Sequence, residues 1–97
     1  MDFVFETDSV FAIKDISPQA PTHILIIPKS HHENAGELAL KDPAVLSQMH
    51  GAAAKIAEDL GLDGYRSVFN TGASAGQSVF HAHLHLLGGR PFAWPPG

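Results

Sequence analysis

Three histidines at alternate positions, His81, His83 and His85, form the pattern in this sequence most able to do chemistry. Side chains of a β-strand alternate between its two faces, so the three imidazoles share one face and the apolar residues between them share the other. Neighbouring imidazoles on that face lie roughly 7 Å apart, from a rise of about 3.3 Å per residue. The strand is therefore predicted to carry a core face and an imidazole face, and packing alone does not require the imidazoles.

Four interpretations of the imidazole face compete. The first is a set of hydrogen-bonded histidines on a half-buried surface. The second is a zinc site that uses His-x-His with His23 as a third ligand. Zinc is disfavoured because the chain has no cysteine and no carboxylate flanks the run. Three evenly spaced imidazoles are also too far apart to coordinate one ion easily. The third is covalent catalysis, and the fourth is a binding face without chemistry.

Covalent catalysis at phosphorus is the interpretation that the spacing favours. A neutral imidazole, with an unperturbed pKa of about 6.5, is a nucleophile near neutral pH. The central residue, His83, can attack phosphorus and form a phosphoramidate intermediate that water then cleaves. Its second ring nitrogen can donate to a backbone carbonyl, which fixes the tautomer. The flanking histidines can hold orientation and move protons.

A loop of small residues, 70–78, leads directly into the histidine strand. Its glycines let the backbone turn N–H groups towards an anion, and Asn70, Gln77 and Ser78 can add side-chain donors. A flexible connector is the alternative for a Gly/Ser loop alone. Joined to three histidines in register, the loop is predicted to cradle a phosphate group.

The strands that must position these residues follow from β-prone runs and turn signals. Residues 3–5 and 10–13 predict a hairpin, and the apolar run 23–27, closed by Pro28, predicts a central strand. Residues 65–70 and 79–87 predict two further strands, the last ended by two glycines. Residues 15–22 are predicted to be an ordered loop and 29–36 an irregular one.

One main helix is predicted between the third and fourth strands. Asp42 can cap it, Pro43 suits its first position, and Gly61 can end it in a left-handed conformation. Apolar residues at helical spacing form one stripe, predicted to be core: Val45, Met49, Ala52, Ala53, Ile56 and Leu60. The order of elements predicts an α+β fold, with a five-stranded, mainly antiparallel sheet covered on one face by the helix.

Composition limits the class of protein. A chain of 97 residues, 44% hydrophobic and 16% charged, fits one globular domain, 1–97. The net charge is -4 and no basic run is present, so nucleic acid and membrane are not expected partners. No cysteine is available for a disulfide or a thiolate metal site. Without a secretory signal or an apolar span, a cytoplasmic protein is predicted.

The other histidines and Arg90 receive weaker predictions. His31, His32 and His50 are predicted to be solvated surface residues. His23 differs because it starts a strongly apolar strand, and it can reach the triad if that strand lies near the last one. Arg90 is predicted to be a solvated residue near the terminus.

The run 81–87 fits the pattern His-φ-His-φ-His-φ-φ, where φ is apolar, and so resembles the signature of the histidine-triad superfamily. Residues 15–23, 76–78 and 87–90 resemble its nucleotide-binding branch, the nucleoside phosphoramidases. The ending 94–97 resembles the tail of eukaryotic-type members. The resemblance covers nearly the whole chain, with separated motifs in the same order.

This resemblance implies a hydrolase that cleaves the P–N bond of adenosine or guanosine 5'-monophosphoramidates, and also aminoacyl-adenylates, through a nucleotidylated His83 and with no metal or cofactor. It implies a homodimer whose two sheets join into one of ten strands, with the tail 91–97 reaching the partner's active site. The implied catalytic residues that support His83 are His81, His85, His23 and Ser78. The implied nucleotide-binding residues are Asp15 at the ribose hydroxyls, Ile16, Ile13, Asn70, Gly76, Gln77, Ser78 and Trp94.

Two other functions remain as alternatives. A diadenosine polyphosphate hydrolase is disfavoured because that branch typically has a Pro-Arg pair where this chain has Gly-Gly-Arg at 88–90. A non-catalytic nucleotide-binding or scaffold dimer is disfavoured because binding alone needs no His83.

Two departures from the family pattern lead to a further hypothesis. Relatives usually carry an N-terminal segment with a short helix before the hairpin, whereas this sequence begins almost at the hairpin. Ile13 also stands where relatives commonly have Phe. Together these departures predict a more open base pocket with a weaker preference for purines.

Overall fold

The structure is a computed structural model that describes residues 2–97, and these residues form five strands and two α-helices. The strands are β1 (Phe5–Glu6), β2 (Val10–Lys14), β3 (Thr22–Pro28), β4 (Tyr65–Val68) and β5 (Leu84–Gly88). The helices are α1 (Ala35–Lys41) and α2 (Pro43–Asp59). None of the helices in this described part of the chain is long and apolar enough to cross a membrane.

The five strands form one sheet in the order β1-β2-β3-β5-β4, and every neighbouring pair is antiparallel. The aliphatic run of β3 takes the centre, where Ile24 lies opposite Lys14 on one side and Leu86 on the other. The predicted α+β fold with a five-stranded antiparallel sheet is confirmed. Its pairing places Leu25 of β3 opposite His85 of β5, so the first residues of β3 lie beside the histidine strand.

The core lies between α2 and one face of the sheet. Helix α2 buries Val45, Met49, Ala52, Ala53, Ile56 and Ala57, and the sheet side buries Val10, Ala12, Ile24, Ile26, Ala82, Leu84 and Leu86. The predicted core face of the histidine strand is therefore confirmed. Leu60 was wrongly placed in the core: α2 ends at Asp59, and Leu60 lies in the capping turn with 53% of its surface exposed. Gly61 follows with φ +67°, the predicted left-handed ending.

Helix α1 was not predicted: residues 29–36 were expected to be irregular, and no element was assigned to residues 37–41. Asn34 caps this helix by accepting from the Glu37 N–H at 2.9 Å, and Glu37 in turn accepts from the Glu33 N–H at 2.6 Å. The bonds resemble a capping box, except that Glu37 bonds to the N–H of the residue before the cap. The signal is visible in the sequence as Asn followed three residues later by Glu. Leu38 anchors the short helix to the core.

The histidine strand is shorter than predicted, since β5 begins at Leu84 and not at residue 79. Its partner β3 ends at Pro28, and the Ala82 N–H donates instead to the His32 carbonyl at 2.7 Å. Burial still alternates from residue 81 to residue 88. The three imidazoles therefore keep a common side although only His85 lies within the strand.

Candidate active site

His83 lies one residue before β5, half-buried, with one ring nitrogen bonded to its own chain. Its Nδ1 lies 2.8 Å from the carbonyl oxygen of His81. A carbonyl can only accept, so Nδ1 carries the proton. In the neutral ring the other nitrogen, Nε2, then holds a lone pair, which is the form that a nucleophile requires.

His85 and His23 form a hydrogen-bonded pair of rings beside the nucleophile. His23 Nε2 lies 2.9 Å from His85 Nδ1, and the His83 and His85 ring centroids are 5.0 Å apart. His23 is buried at the start of β3. The predicted approach of His23 to the triad is thus seen in the structure, and it follows from the β3–β5 pairing.

The charge state of His85 is set by its surroundings. Burial lowers the pKa of His85 below its ordinary value of 6.5, and the neighbouring His83 and His23 lower it further, against an opposing effect of Asp15. His85 is therefore held neutral at pH 7, and it can serve as a hydrogen-bond donor through the nitrogen that His23 does not occupy.

Asp15 follows β2 and lies close to the His23–His85 pair. Its Oδ2 is 3.4 Å from His23 Nε2, and its Oδ1 accepts from the Ser17 N–H at 2.8 Å. The Asp15 N–H donates to the His23 carbonyl at 3.0 Å, which continues the β2–β3 pairing by one residue. A carboxylate held in this way keeps acceptor capacity for a bound hydroxyl.

A cleft of about 500 Å³ gathers most of the predicted site residues. Residues from both groups, the predicted nucleotide-binding and catalytic residues, line it: Ile13, Asp15, Ile16, Asn70, Gly76, Ser78, His83 and His85. Four predicted residues do not line it: His23, His81, Gln77 and Trp94. His23 is hydrogen-bonded to His85, which does line the cleft. The side chains of His81, Gln77 and Trp94 lie elsewhere in the molecule.

The His81 side chain does not line this cleft. Its Nε2 donates to the Pro28 carbonyl at 2.8 Å, and its Nδ1 lies 2.8 Å from Nδ1 of His31. The contribution of His81 to the nucleophile is its main-chain carbonyl, which holds His83. His31 was expected to be a solvated surface residue; it is exposed but pairs with His81, a long-range contact that spacing along the chain did not indicate.

Gln77 is a buried brace, 5% exposed, and not part of the cleft lining. Its Oε1 accepts from the Gly72 N–H at 2.8 Å, and its Nε2 donates to the carbonyls of Glu33 and Val79 at 2.8 and 3.1 Å. These bonds use the side-chain amide entirely on the backbone. Gln77 therefore fixes the loop that carries Ser78.

Four N–H groups of the loop are already hydrogen-bonded within it and are not available to an anion. The N–H groups of Gly72, Ala75, Gly76 and Gln77 all bond within the loop, around a 3₁₀ turn at Ala73–Ala75. Gly76 itself takes φ +96°, which glycine permits. The side chains of Asn70, Ser78, His83 and His85 supply polar groups in the cleft lining.

The tail after β5 is fastened to the sheet edge and leaves Trp94 exposed. Arg66 donates to the Ala93 carbonyl at 3.0 Å, and both Arg66 and Arg90 stack on the Phe92 ring. Arg90 was predicted to be merely solvated, but it also donates to the Gln19 carbonyl at 3.1 Å. Trp94 is 82% exposed and lies outside the cleft of its own chain.

One cluster among the described residues has donor atoms close enough for a metal ion. These atoms belong to Asp15, His23 and His85 and lie within 4.8 Å of one another. The same atoms already form the hydrogen bonds described above, which need a proton between the two rings.

Comparison with known proteins agrees with this geometry. Residues 1–92 match the model of the HIT domain. The chain belongs to the HIT domain family. The histidine-triad superfamily identified from the 81–87 signature is thus confirmed. The HIT family hydrolase of Legionella pneumophila has 48% identity and a TM-score of 0.93, covering 98% of this chain and 87% of that one.

Two further relatives support the hydrolase class of this HIT protein. The HIT family hydrolase of Clostridium thermocellum has 49% identity and a TM-score of 0.89, over 95% of this chain and 82% of that one. The purine nucleoside phosphoramidase of Escherichia coli K12 is 50% identical over 92 residues, which span 93% of this chain and 77% of that protein. The prediction of an enzyme that acts as a hydrolase is confirmed.

Proposed function

We propose that this HIT protein hydrolyses the P–N bond of purine nucleoside 5'-phosphoramidates, with His83 as the nucleophile. The observation that carries the proposal is the 2.8 Å bond between His83 Nδ1 and the His81 carbonyl, which puts the lone pair of the neutral ring on Nε2 in a cleft with Asp15 and Ser78. The 50% identity to a protein named purine nucleoside phosphoramidase supports this substrate class.

In the first step, the His83 Nε2 lone pair forms a bond to phosphorus while the P–N bond breaks. The departing amine takes up a proton from the Ser78 hydroxyl, which is exposed in the cleft. The resulting nucleotidyl-imidazole keeps its Nδ1–H bond to the His81 carbonyl. This bond stabilises the positive charge that develops on the ring.

In the second step, water attacks phosphorus and the His83–phosphorus bond breaks. The proton that the water loses passes to the Ser78 oxygen, which restores the hydroxyl that gave up its proton in the first step. Nucleoside monophosphate is released with the His83 lone pair restored. His85, neutral and lining the cleft, can donate to a phosphoryl oxygen in both steps. Neither step calls for a metal or a cofactor.

Substrate orientation comes from the two ends of the cleft. Asp15 supplies a carboxylate that can accept from both ribose hydroxyls, and Ile13 and Ile16 supply apolar surface for the sugar and base. Ile16 is 99% exposed in the free protein, so a bound nucleoside would cover it. Asn70 joins Ser78 on the phosphate side.

A homodimer is part of the proposal. Strand β4 forms one edge of the sheet, and edge strands offer unpaired backbone groups to a further strand. Trp94 is exposed and outside its own cleft, so a role for the tail in catalysis needs a second copy. Light scattering after gel filtration should give twice the chain mass, and Trp94→Ala should raise KM. A fully active monomer contradicts this part.

The proposed activity is tested by turnover of adenosine 5'-phosphoramidate by the wild-type protein and His83→Ala. We expect kcat/KM to fall by about 10³-fold or more, which is about 4 kcal/mol of transition-state stabilisation. His50→Ala is the matched control, because His50 lies exposed on α2 and outside the cleft. Circular dichroism confirms that each variant is folded. Retained activity in His83→Ala contradicts the mechanism, and an inactive wild type contradicts the substrate class.

A further inference from the structure

We propose that the main-chain N–H of Gln19 is a positioning group that fixes the tautomer of His23, and through it that of His85, and keeps metal ions from the site. The Gln19 N–H donates to His23 Nδ1 at 3.0 Å. The catalytic part of this inference rests on the proposed function, whereas the tautomer and the effect on metals do not.

The direction of every proton in the pair follows from that one bond. An amide N–H can only donate, so His23 Nδ1 must hold a lone pair and the proton of the neutral ring must be on Nε2. His23 Nε2 then donates to His85 Nδ1 at 2.9 Å. His85 Nδ1 is thereby an acceptor, and its proton is on Nε2. A single backbone group thus determines that His85 presents an N–H to the cleft.

The Gln19 peptide is itself held from more than one side. Its carbonyl accepts from Arg90 Nη2 at 3.1 Å, and its side-chain amide donates to the Ser17 carbonyl at 2.9 Å. The end of β5 packs closely on the same loop: a Cβ at Gly89, where φ is +90°, would lie 2.9 Å from Cβ of Pro21. The loop therefore has little freedom to turn the N–H away.

The same bond opposes metal binding by the cluster of Asp15, His23 and His85. A cation at His23 Nε2 needs that nitrogen deprotonated, since a metal binds the lone pair of neutral imidazole. The proton would have to move to Nδ1, where it would face the Gln19 N–H, a contact between two donors. The donor atoms of the cluster lie within 4.8 Å of one another, close enough for a metal ion. The Gln19 N–H thus favours hydrogen bonds among these atoms and disfavours a metal ion.

The first experiment reads the tautomers in the wild-type protein by ¹⁵N–¹H NMR of the histidine rings. We expect the Nε2–H form at His23 and at His85 near pH 7.5. An Nδ1–H form at His23 overturns the inference, whatever any variant does.

The second experiment removes the N–H. Gln19→Pro lacks it, and Gln19→Ala, which keeps it and loses only the side chain, is the matched control. An amide-to-ester replacement at residue 19, made by chemical ligation, removes only the N–H and serves if Gln19→Pro does not fold. Zinc binding is measured by competition with a chromogenic chelator. We expect zinc to bind at least tenfold more tightly without the N–H, and His85→Ala in the same background to abolish that gain.

The third experiment compares turnover of adenosine 5'-phosphoramidate by the same proteins in the presence of a chelator. Without the N–H, kcat should fall about tenfold relative to Gln19→Ala while KM changes less than twofold. Equal zinc affinities and equal kcat values overturn the inference. If the wild type shows the expected tautomers and zinc response but no turnover, the proposed function fails and the structural part of the inference stands.

Discussion

Substitution of Gln77, which lies in the segment 76–78 that resembles the family, tests whether its side chain stabilises the loop or binds the nucleotide. The structure gives its side chain three hydrogen bonds to the backbone, with 5% of the residue exposed. At about 0.5–1.5 kcal/mol each, three such bonds are worth about 1.5–4.5 kcal/mol. Gln77→Ala should therefore lower the free energy of unfolding by about that amount, a large part of the roughly 5–15 kcal/mol of a small domain.

The assay is urea unfolding at 25 °C followed by circular dichroism, with turnover measured on the same samples. Gln77→Glu should cost at least as much as Gln77→Ala, because it places a carboxylate oxygen against the carbonyls of Glu33 and Val79. Ser78→Ala is the control for stability, since Ser78 is exposed, and should lie within about 0.5 kcal/mol of wild type. A Gln77→Ala variant with unchanged stability and a raised KM would refute the bracing role.

Three further predictions follow from the site. The pKa of His85 is lower in the folded protein than in the unfolded chain, so the unfolded chain binds a proton at this residue first as the pH falls. The contribution of neutral His85 to the free energy of unfolding is therefore fully present above about pH 6.5 and is lost as the pH falls through the pKa of the folded state. Urea unfolding at several pH values should show that loss, and His85→Gln should flatten it. Ile13→Phe should raise the purine-to-pyrimidine ratio of kcat/KM by about 2- to 12-fold, from about 0.5–1.5 kcal/mol of aromatic stacking; an unchanged ratio removes Ile13 from base selection. Treatment with a chelator should leave kcat unchanged, and loss of activity that zinc restores would contradict the metal-free mechanism.

Elements with a strong local signal could be predicted from the sequence. Pro43 and Gly61 bracket α2 as expected, and the alternation around His83 does place imidazoles and core residues on opposite sides. The β3–β5 pairing that joins His23 to His85 could not be predicted, because strand order depends on contacts between distant residues. The sequence indicated only that His23 reaches the triad if its strand lies near the last one.

Other features of the site depend on backbone groups that side-chain patterns do not show. The Gln19 N–H and the His81 carbonyl hold the imidazoles, and every residue type except proline has both groups. Gln77 was assigned to the nucleotide because its amide can donate. Its burial against Gly72 and the carbonyls nearby is a property of the folded loop.

The central claim is that His83 carries the nucleotide during turnover. The direct measurement mixes the enzyme with adenosine 5'-phosphoramidate for milliseconds, quenches in alkaline denaturant, and maps the intact protein and its peptides by mass spectrometry. We predict an added adenylyl group on the peptide that contains His83. The rate constants for its formation and for its hydrolysis should each be at least as large as the steady-state kcat. The adduct should be absent in His83→Ala. Turnover without an adduct at any time, or an adduct on a different residue, would contradict the account.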